Sequence, residues 1–333
     1  MSLKILDTTL RDGSNAINFQ FDRKLTKKIL FDLDRAGIDW IEMGHGLGLG
    51  ATKKSGKPAL LSDEEYIEIA QETLKTAKFG FLIGKNFGEE KDIKLLAQKK
   101  AGFIRIGSNV TDVDQIENFI KYAKNQGLTV LIALMKTYAM TNMKDYVEVL
   151  NKLGAWGVDL VTLMDSAGNM VPEVVKKYIN QGKINSNVAI GFHAHNNLQL
   201  GIANVISAIQ AGVDSVDVSV GGLGRSAGNA PTEILALLLE RYEWGKTLDY
   251  KILSDLNDNY IFPLLKGENR FSSTALTFGF AGFHSSFFPL VEKIIQEFPS
   301  LDFRDLIIEF SKKEKINVTE DLIRKVAKDL SDN

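Results

Sequence analysis

The chain has 333 residues, a formal net charge of −2, 44% hydrophobic residues and 25% charged residues. These values are ordinary for a globular protein with a buried core, and they favour neither nucleic acid nor an anionic membrane surface as a partner. Cysteine is absent, which excludes disulfides, thiolate metal sites and a cysteine nucleophile, so any bound metal must have oxygen and imidazole ligands.

Short apolar segments alternate with longer segments of helical periodicity over most of the chain. The predicted strands are Lys4 to Leu6, Trp40 to Met43, Phe79 to Ile83, Phe103 to Ile106, Thr129 to Leu134, Leu160 to Met164, Val188 to Phe192 and Val213 to Val218. The helical patterns include Lys24 to Ala36, Glu65 to Ala77, Val113 to Gln126, Asp145 to Leu153 and Gly201 to Ala211. About eight strand–helix units predict a (β/α)₈ TIM barrel. The competing doubly wound sheet usually has a glycine-rich phosphate turn after its first strand, where this chain reads DTTLRDGSN.

The strand pattern stops near residue 250. Helical patterns follow at Phe287 to Phe298, Phe303 to Lys312 and Glu320 to Leu330. We therefore expect a barrel domain over residues 1–250 and a helical C-terminal region over residues 251–333. The connecting segment around Asn269 to Ser273 contains no low-complexity spacer, so this region is expected to pack on the barrel. No run approaches the ~20 apolar residues of a membrane span, and no targeting segment is evident, so we expect a cytoplasmic protein.

Polar residues follow most of the predicted strands, at the barrel end where active sites form. These residues are Asp7, Arg11, Asp12, Glu42, His45, Arg105, Asp165, Ser166, His193, His195, Asp217 and Ser219. Because the carboxyl ends of all eight strands meet at one rim, we expect these side chains to converge there.

The segment GFHAHNN, residues 191–197, contains two of the four histidines of the chain. Side chains alternate along a strand, so His193 and His195 are expected to face the same way. In a closed barrel the first strand is one step from the seventh, and Asp12 can add a carboxylate. Such a set binds a divalent cation and leaves positions for substrate oxygens. The alternatives are two histidines satisfied within the core and an Asp12 that serves only an Asp-Gly turn.

Two arginines are expected to form ion pairs near this rim. Glu42 needs a partner on its apolar strand, and Arg11 is the expected one. Near a metal, Arg11 can also stabilise an oxyanion. For Arg105 and Asp217 we expect a structural ion pair. The glycine-rich segments HGLGLGA (45–51) and GGLGRSAGNAP (221–231) match neither a P-loop nor a dinucleotide fingerprint, and we interpret them as loops beside the site.

Five segments together resemble the DRE-TIM metallolyase superfamily, the HMGL-like proteins. They are LDTTLRDG (6–13), IEMGHG (41–46), LMDSAG (163–168), GFHAHNNLQLGIAN (191–204) and GGLGRSAGNAPTE (221–233). Within this superfamily the chain is most similar to the 4-hydroxy-2-oxovalerate aldolases, whose pattern also includes the C-terminal segments GFAGFHSSF and DLIRKVAKDL. The resemblance spans almost the whole chain, and it implies a TIM barrel with an appended helical region.

The resemblance also implies roles for individual residues. A divalent ion, Mn²⁺ first and Mg²⁺, Co²⁺ or Zn²⁺ as alternatives, would be held by Asp12, His193 and His195, with Asn229 close to it. Arg11 would stabilise an enolate, and Glu42 would orient Arg11. The candidate substrate-binding residues are Arg11, His45, Asp165, Ser166 and His193.

The chain departs from the aldolase pattern at two positions that lie near each other in the family's active site. The family reads RDGSH, with the histidine as general base, whereas this chain has Asn15, which cannot take up a proton near neutral pH. The family's tyrosine in the C-terminal pattern is replaced by His284. We hypothesise that the base has moved from position 15 to His284, whose ordinary pKa suits the task. The alternative is that His284 caps the following helix.

The activity implied by the resemblance is metal-dependent cleavage or formation of a 4-hydroxy-2-oxo acid through a pyruvate enolate. One alternative is an acyl-CoA-dependent Claisen condensing transferase of the same superfamily, and another is a non-catalytic relative that binds a 2-oxo acid. The expected ligands are a 2-oxo acid and an aldehyde, with no nucleic acid or membrane. By analogy with the family we also expect a homo-oligomer and an aldehyde dehydrogenase partner docked on the C-terminal region.

Overall fold

Eight parallel strands form a closed barrel in chain order, with the last strand paired to the first. A computed structural model describes residues 3–265, 270 and 272–332. The strands are β1 (Lys4–Asp7), β2 (Trp40–Met43), β3 (Lys78–Gly84), β4 (Phe103–Asn109), β5 (Val130–Met135), β6 (Leu160–Asp165), β7 (Ala189–Ala194) and β8 (Ser215–Val218). All eight predicted strands and the TIM barrel are therefore confirmed, and the doubly wound sheet is excluded.

Helices surround the barrel and continue beyond it. They are α1 (Arg23–Ala36), α2 (Ala51–Lys54), α3 (Asp63–Thr73), α4 (Glu90–Gln98), α5 (Glu117–Asn125), α6 (Met143–Ala155), α7 (Pro172–Asn185), α8 (Gly201–Gln210), α9 (Thr232–Arg241) and α10 (Tyr250–Leu256). The predicted helices occur with shifted ends. The one predicted to reach Ala77 ends at Thr73, because the Asp34 carboxylate accepts the backbone N–H groups of residues 75–77 and holds them outside the helix. The segment Val113–Ile116 forms a separate 3₁₀ turn before α5.

Side chains along the strands alternate between two apolar cores, one inside the barrel and one between the barrel and the helices. Phe103 and Arg105 are two residues apart on β4, so both point into the barrel. Phe103 packs there with Leu6, Leu131 and Leu160. Polar groups occupy the barrel interior above this apolar floor, toward the carboxyl ends of the strands. The intervening residues, such as Ile104, belong to the larger core that includes the apolar faces of the helices.

The C-terminal region contains α11 (Ser273–Ala281), α12 (Phe288–Glu297), α13 (Phe303–Lys313) and α14 (Glu320–Ser331). These helices confirm the three predicted patterns and share a separate apolar cluster that includes Phe283 and Phe310. The region packs on the barrel: the Lys136 ammonium donates to the carbonyl of Ile316 at 2.8 Å, and the Asn197 amide donates to that of Ala275 at 3.0 Å.

The division at residue 250 stays a prediction, and the predicted linker positions 269 and 271 lie outside the described residues. Among the described helices, none is both long enough and apolar enough to cross a membrane.

Candidate active site

A cavity of about 260 Å³ opens at the carboxyl ends of the strands. Its wall contains residues from the loop after β1, from the ends of β3 to β6, from the loop after β8 and from the C-terminal region. The polar residues of this wall include Arg11, Asp12, Ser108, Asn109, Asp112, Ser166, His195, Arg225, His284 and Ser286. Of the twelve polar residues predicted to converge on this rim, Arg11, Asp12, Ser166 and His195 line the cavity.

Asp12, His193 and His195 form a buried group in which one ligand atom from each side chain lies within 4.8 Å of the others. The two histidines lie on the same side of β7 and its extension, as alternation requires. Asp12 reaches them from the loop after β1, because β8 lies between β1 and β7. Two imidazoles and one carboxylate at this separation are a suitable ligand set for a divalent cation.

The hydrogen bonds of both imidazoles leave Nε2 as the ligand atom. His193 Nδ1 lies 3.0 Å from the Asp217 carboxylate, and His195 Nδ1 lies 3.3 Å from the carbonyl of Gly228. Each Nδ1 must carry the proton, because its partner can only accept. Within the described structure His193 Nε2 is buried with no hydrogen-bond partner, and so is Asn229 Oδ1. Unpartnered buried acceptors of this kind fit a site for a cation.

The charge states of this group also suit a cation. Burial lowers the pKa of His195 to about 4, more than the nearby Asp12 raises it, so its imidazole is neutral. Burial alone would raise the pKa of Asp12, but Arg11 and the two histidines hold it well below its usual range. The Asp12 carboxylate accepts from the Asn229 amide at 2.9 Å. The site therefore offers one anionic carboxylate and two imidazoles whose Nδ1 atoms are already hydrogen-bonded elsewhere.

Arg11 is held beside this group with one nitrogen unused. Its Nε donates to Glu42 at 2.6 Å, which confirms the predicted pair, and its Nη1 donates to Asp12 at 2.8 Å. Its Nη2 is buried and has no hydrogen-bond partner in the described part of the chain. A fixed guanidinium with a free donor in the cavity wall is arranged to bind an anionic oxygen.

A series of buried ion pairs inside the barrel connects the residues of the site. Arg105 Nη1 lies 3.3 Å from the Glu42 carboxylate, which pairs with Arg11. It also lies 2.8 Å from the Asp217 carboxylate, which pairs with His193. The predicted structural pair of Arg105 and Asp217 is thus confirmed. These ion pairs fix the orientations of Arg11 and of the His193 ring, because all of the participating side chains are buried.

Replacing Arg105 with methionine is expected to lower the free energy of unfolding by about 3–5 kcal/mol, because it leaves two buried carboxylates with less compensation. The measurement is denaturant unfolding of the purified variant. Arg23→Met is the matched control: its side chain is 46% exposed and pairs with Glu72 at 3.0 Å, so its expected effect is below about 1 kcal/mol. Equal losses in the two variants would contradict the assigned role of Arg105.

The other predicted substrate-binding residues lie in different surroundings. Ser166 lines the cavity, and its hydroxyl accepts from the backbone N–H of Lys136 at 2.9 Å. Asp165 accepts the backbone N–H groups of Asn169 and Met170, so it shapes the turn that carries Ser166, and burial raises its pKa to about 6. The structure brings Ser166 to the cavity wall and places Asp165 beneath it.

His45 is engaged elsewhere. Its ring stacks on Phe19 with 3.8 Å between centroids, and it does not contribute to the cavity wall among the described residues. One ring nitrogen accepts from the backbone N–H of Leu47 at 3.0 Å, and the other lies 2.8 Å from the carbonyl of Lys57. Both nitrogens are therefore used in shaping the loop after β2.

Arg225 is a cavity residue that the sequence reasoning missed. It lies in the glycine-rich loop after β8, its Nη2 donates to Asn15 Oδ1 at 2.8 Å, and its backbone N–H donates to Asp12 at 3.3 Å. The available signal was an arginine within a loop otherwise composed of small residues. Asn15 thus serves as a hydrogen-bond partner of Arg225 at the cavity.

His284 reaches the cavity from the C-terminal region and is half-buried. Its Nδ1 accepts from the backbone N–H of Ser286 at 3.2 Å and lies 2.6 Å from the Ser286 hydroxyl. The capping contact considered as the alternative is therefore present, at the 3₁₀ turn Ser285–Phe287. Burial and the charges of Arg225 and Lys136 lower the pKa of His284 well below its ordinary value, so the ring is neutral.

Comparisons with known proteins agree with this fold. Residues 2–259 match the HMGL-like family, and residues 269–332 match the DmpG-like communication domain. The 4-hydroxy-2-oxovalerate aldolase of Carboxydothermus hydrogenoformans is 37% identical over 331 residues, which cover 99% of this chain and 97% of that protein. The 4-hydroxy-2-oxovalerate aldolase 2 of Rhodococcus opacus is 34% identical, over 99% of this chain and 94% of that protein.

Among solved structures, the carboxyl transferase domain from Rhizobium etli pyruvate carboxylase superimposes with a TM-score of 0.79 at 14% identity. That match covers 99% of this chain and 60% of the other, and it shows a shared fold. The family assignment rests on the full-length relatives and on the family models. The chain therefore belongs to the HMGL-like family and, within it, to the group of proteins named 4-hydroxy-2-oxovalerate aldolase.

Proposed function

We propose that this protein is a divalent-metal-dependent aldolase that cleaves a 4-hydroxy-2-oxo acid into pyruvate and an aldehyde, and that catalyses the reverse addition. The observation that carries the proposal is the buried group of Asp12, His193 and His195 beside the free Nη2 of Arg11. The names of the full-length relatives support the same reaction.

Asp12, His193 and His195 would hold the metal, with Asn229 beside them. A bound divalent ion supplies Lewis-acid polarisation of the 2-oxo acid. We propose Mn²⁺ as the bound ion, with Mg²⁺, Co²⁺ and Zn²⁺ as alternatives that accept the same nitrogen and oxygen ligands. The hydrogen bond from His193 to Asp217 would keep the ring in the tautomer and orientation needed for binding.

Arg11 would stabilise the negative charge that develops on the enolate oxygen when the C3–C4 bond breaks. Glu42 and Asp12 fix two of its nitrogens, so its third nitrogen is oriented before substrate arrives. A donor held in this way stabilises the transition state more than the ground state, because the charge appears only as the bond breaks.

His284 would accept the proton of the 4-hydroxyl group. The backbone N–H of Ser286 can only donate, so Nδ1 is the unprotonated ring nitrogen and the atom that takes up the proton. Ser286 also lines the cavity, and its hydroxyl lies against Nδ1. We therefore propose that the proton passes through the Ser286 hydroxyl to His284, and that Ser166, which also lines the cavity, contacts the substrate.

The wider setting is proposed by analogy with the family. The DmpG-like match over residues 269–332 supports a partner protein at the C-terminal region, and we propose an aldehyde dehydrogenase that takes up the product. A homo-oligomer and a location in the cytoplasm are further parts of this proposal.

The proposal is tested by removing metal with a chelator, restoring single divalent ions, and supplying a panel of 4-hydroxy-2-oxo acids. We expect metal-dependent release of pyruvate and an aldehyde from at least one of these acids. Acetyl-CoA with a 2-oxo acid is the comparison substrate pair, since a Claisen condensing transferase would release free coenzyme A instead. Tight binding of a 2-oxo acid with no turnover in either assay would support a non-catalytic relative.

A further inference from the structure

We infer that Arg225 is a second catalytic arginine, which binds the C4 oxygen of the substrate and stabilises it as its proton leaves. The inference rests on the proposed function, because it names the group that acts on the aldehyde half of the same substrate. Arg11 would act on the enolate half, so the two guanidiniums would divide the developing charge between them.

The guanidinium of Arg225 is anchored at one nitrogen and free at the others. Nη2 donates to Asn15 Oδ1 at 2.8 Å, while no described residue accepts a hydrogen bond from Nε or Nη1. The side chain lines the cavity, so these donors have access to a bound molecule. Burial lowers the pKa of Arg225 relative to an exposed arginine, but arginine stays charged at any physiological pH.

Asn15 is suited to hold this arginine because its amide is used at both ends. Nδ2 donates to the carbonyl of Asp12 at 2.9 Å, which leaves Oδ1 to accept from Arg225. The reversed amide would place Oδ1 against the carbonyl oxygen of Asp12 and Nδ2 against the Arg225 donor, so this orientation is the one the partners allow. Gly46 makes room for the arrangement, since a Cβ there would lie 2.4 Å from Asn15 Nδ2. At position 15 the family's basic histidine is therefore replaced by an asparagine that holds Arg225 through a hydrogen bond.

The position of Arg225 favours the C4 oxygen over the carboxylate of the 2-oxo acid. Arg225 lines the same cavity as His284 and Ser286, and its backbone N–H donates to Asp12 at 3.3 Å, so it shares this cavity wall with both the ligand group and the proton acceptor. In the cleavage the O–H bond breaks, and the proton reaches His284 through Ser286. The electron pair of the broken O–H bond forms the C4 carbonyl, and the C3–C4 pair becomes the enolate. Water later protonates C3, and the hydroxide that remains takes the proton from His284. A cation in the cavity wall that also contains the proton acceptor can bind the oxygen that gives up that proton.

The experiment compares two reactions of the metal-loaded enzyme. The first is cleavage of the 4-hydroxy-2-oxo acid, and the second is exchange of the pyruvate C3 protons with D₂O, followed by NMR, which involves no C4 oxygen. For Arg225→Ala we expect kcat for cleavage to fall ~10²-fold, the usual cost of removing one oxyanion donor, while metal content and C3 exchange stay close to wild type. Arg225→Lys should recover part of the lost cleavage activity, because lysine restores the positive charge but not the guanidinium that bonds to Asn15.

Asn15→Leu should reduce cleavage in the same direction, and adding it to Arg225→Ala should cost little more, since the two residues act as a unit. Loss of C3 exchange together with cleavage in Arg225→Ala would overturn the inference and assign the arginine to the 2-oxo acid carboxylate. Unchanged cleavage would overturn it as well. A wild-type enzyme that neither exchanges pyruvate protons nor cleaves any acid of the panel would refute the proposed function itself, before any variant is measured.

Discussion

Replacing Asp12 with asparagine is expected to lower kcat for aldol cleavage by ~10³-fold or more and to abolish tight binding of divalent metal. Asparagine keeps the size of the side chain but removes the one anionic ligand of the group with His193 and His195. Lewis-acid polarisation contributes several kcal/mol of transition-state stabilisation, and about 4 kcal/mol corresponds to this loss in rate. Metal content of the dialysed variant and its turnover with added Mn²⁺ are the two measurements.

The matched control for Asp12 is Asp112→Asn. Asp112 contributes a carboxylate to the same cavity wall but lies outside the group of three, so its variant should keep wild-type metal content. Metal retained by Asp12→Asn at the wild-type level, or lost equally from Asp112→Asn, would contradict the assigned ligand set. Turnover that survives metal removal would contradict the proposed chemistry more broadly.

The grouping of Asp12, His193 and His195 was predictable from sequence because it depends on two regular features of the fold. Alternation along a strand places His193 and His195 on one side, whatever their surroundings. Closure of the barrel places the loop after β1 near the end of β7, so a carboxylate at Asp12 comes within reach. The pair of Arg11 and Glu42 was predictable for a different reason, since a carboxylate on a buried strand must find a cation.

The remaining parts of the site depend on loop conformations that no periodicity determines. His45 follows a strand, and this position predicts a side chain at the rim, yet the loop turns its ring onto Phe19 and uses both ring nitrogens. Arg225 shows the opposite case, because a glycine-rich loop brings it into the cavity. Chemical type and position along the chain identify a candidate residue, but the direction of a loop side chain is set by contacts distant in sequence.

The position of His284 over the cavity depends on the docking of the C-terminal region. The Lys136 ammonium, at the end of β5, donates to the carbonyl of Ile316 and lies 4.8 Å from the centre of the Phe287 ring. It therefore contacts two segments of the C-terminal region, one of them in the 3₁₀ turn that His284 caps. The barrel rim and the C-terminal region together line the cavity, and sequence similarity alone could not show this contact.

Replacing His284 with alanine is expected to lower kcat by ~10²–10⁴-fold, the usual contribution of a general base, while metal content stays at the wild-type level. Ser286→Ala should lower kcat in the same direction, because its hydroxyl connects the cavity with His284 Nδ1. Ser285→Ala is the matched control, since Ser285 lies in the same turn but not in the described cavity wall. Unchanged turnover in His284→Ala would remove this residue from the mechanism.

The pH dependence gives a second test of His284, because its pKa depends on burial first and then on nearby charges that can be changed one at a time. Burial lowers that pKa well below 6.5, Arg225, Lys136 and His195 lower it further, and Asp12 opposes them. A base must be unprotonated to act, so the acid limb of kcat/KM should lie below pH 6.5 in the wild type. Lys136→Met removes a positive charge that disfavours the imidazolium, so the limb should move to higher pH. A limb that stays in place, or moves to lower pH, would show that a group other than His284 accepts the proton.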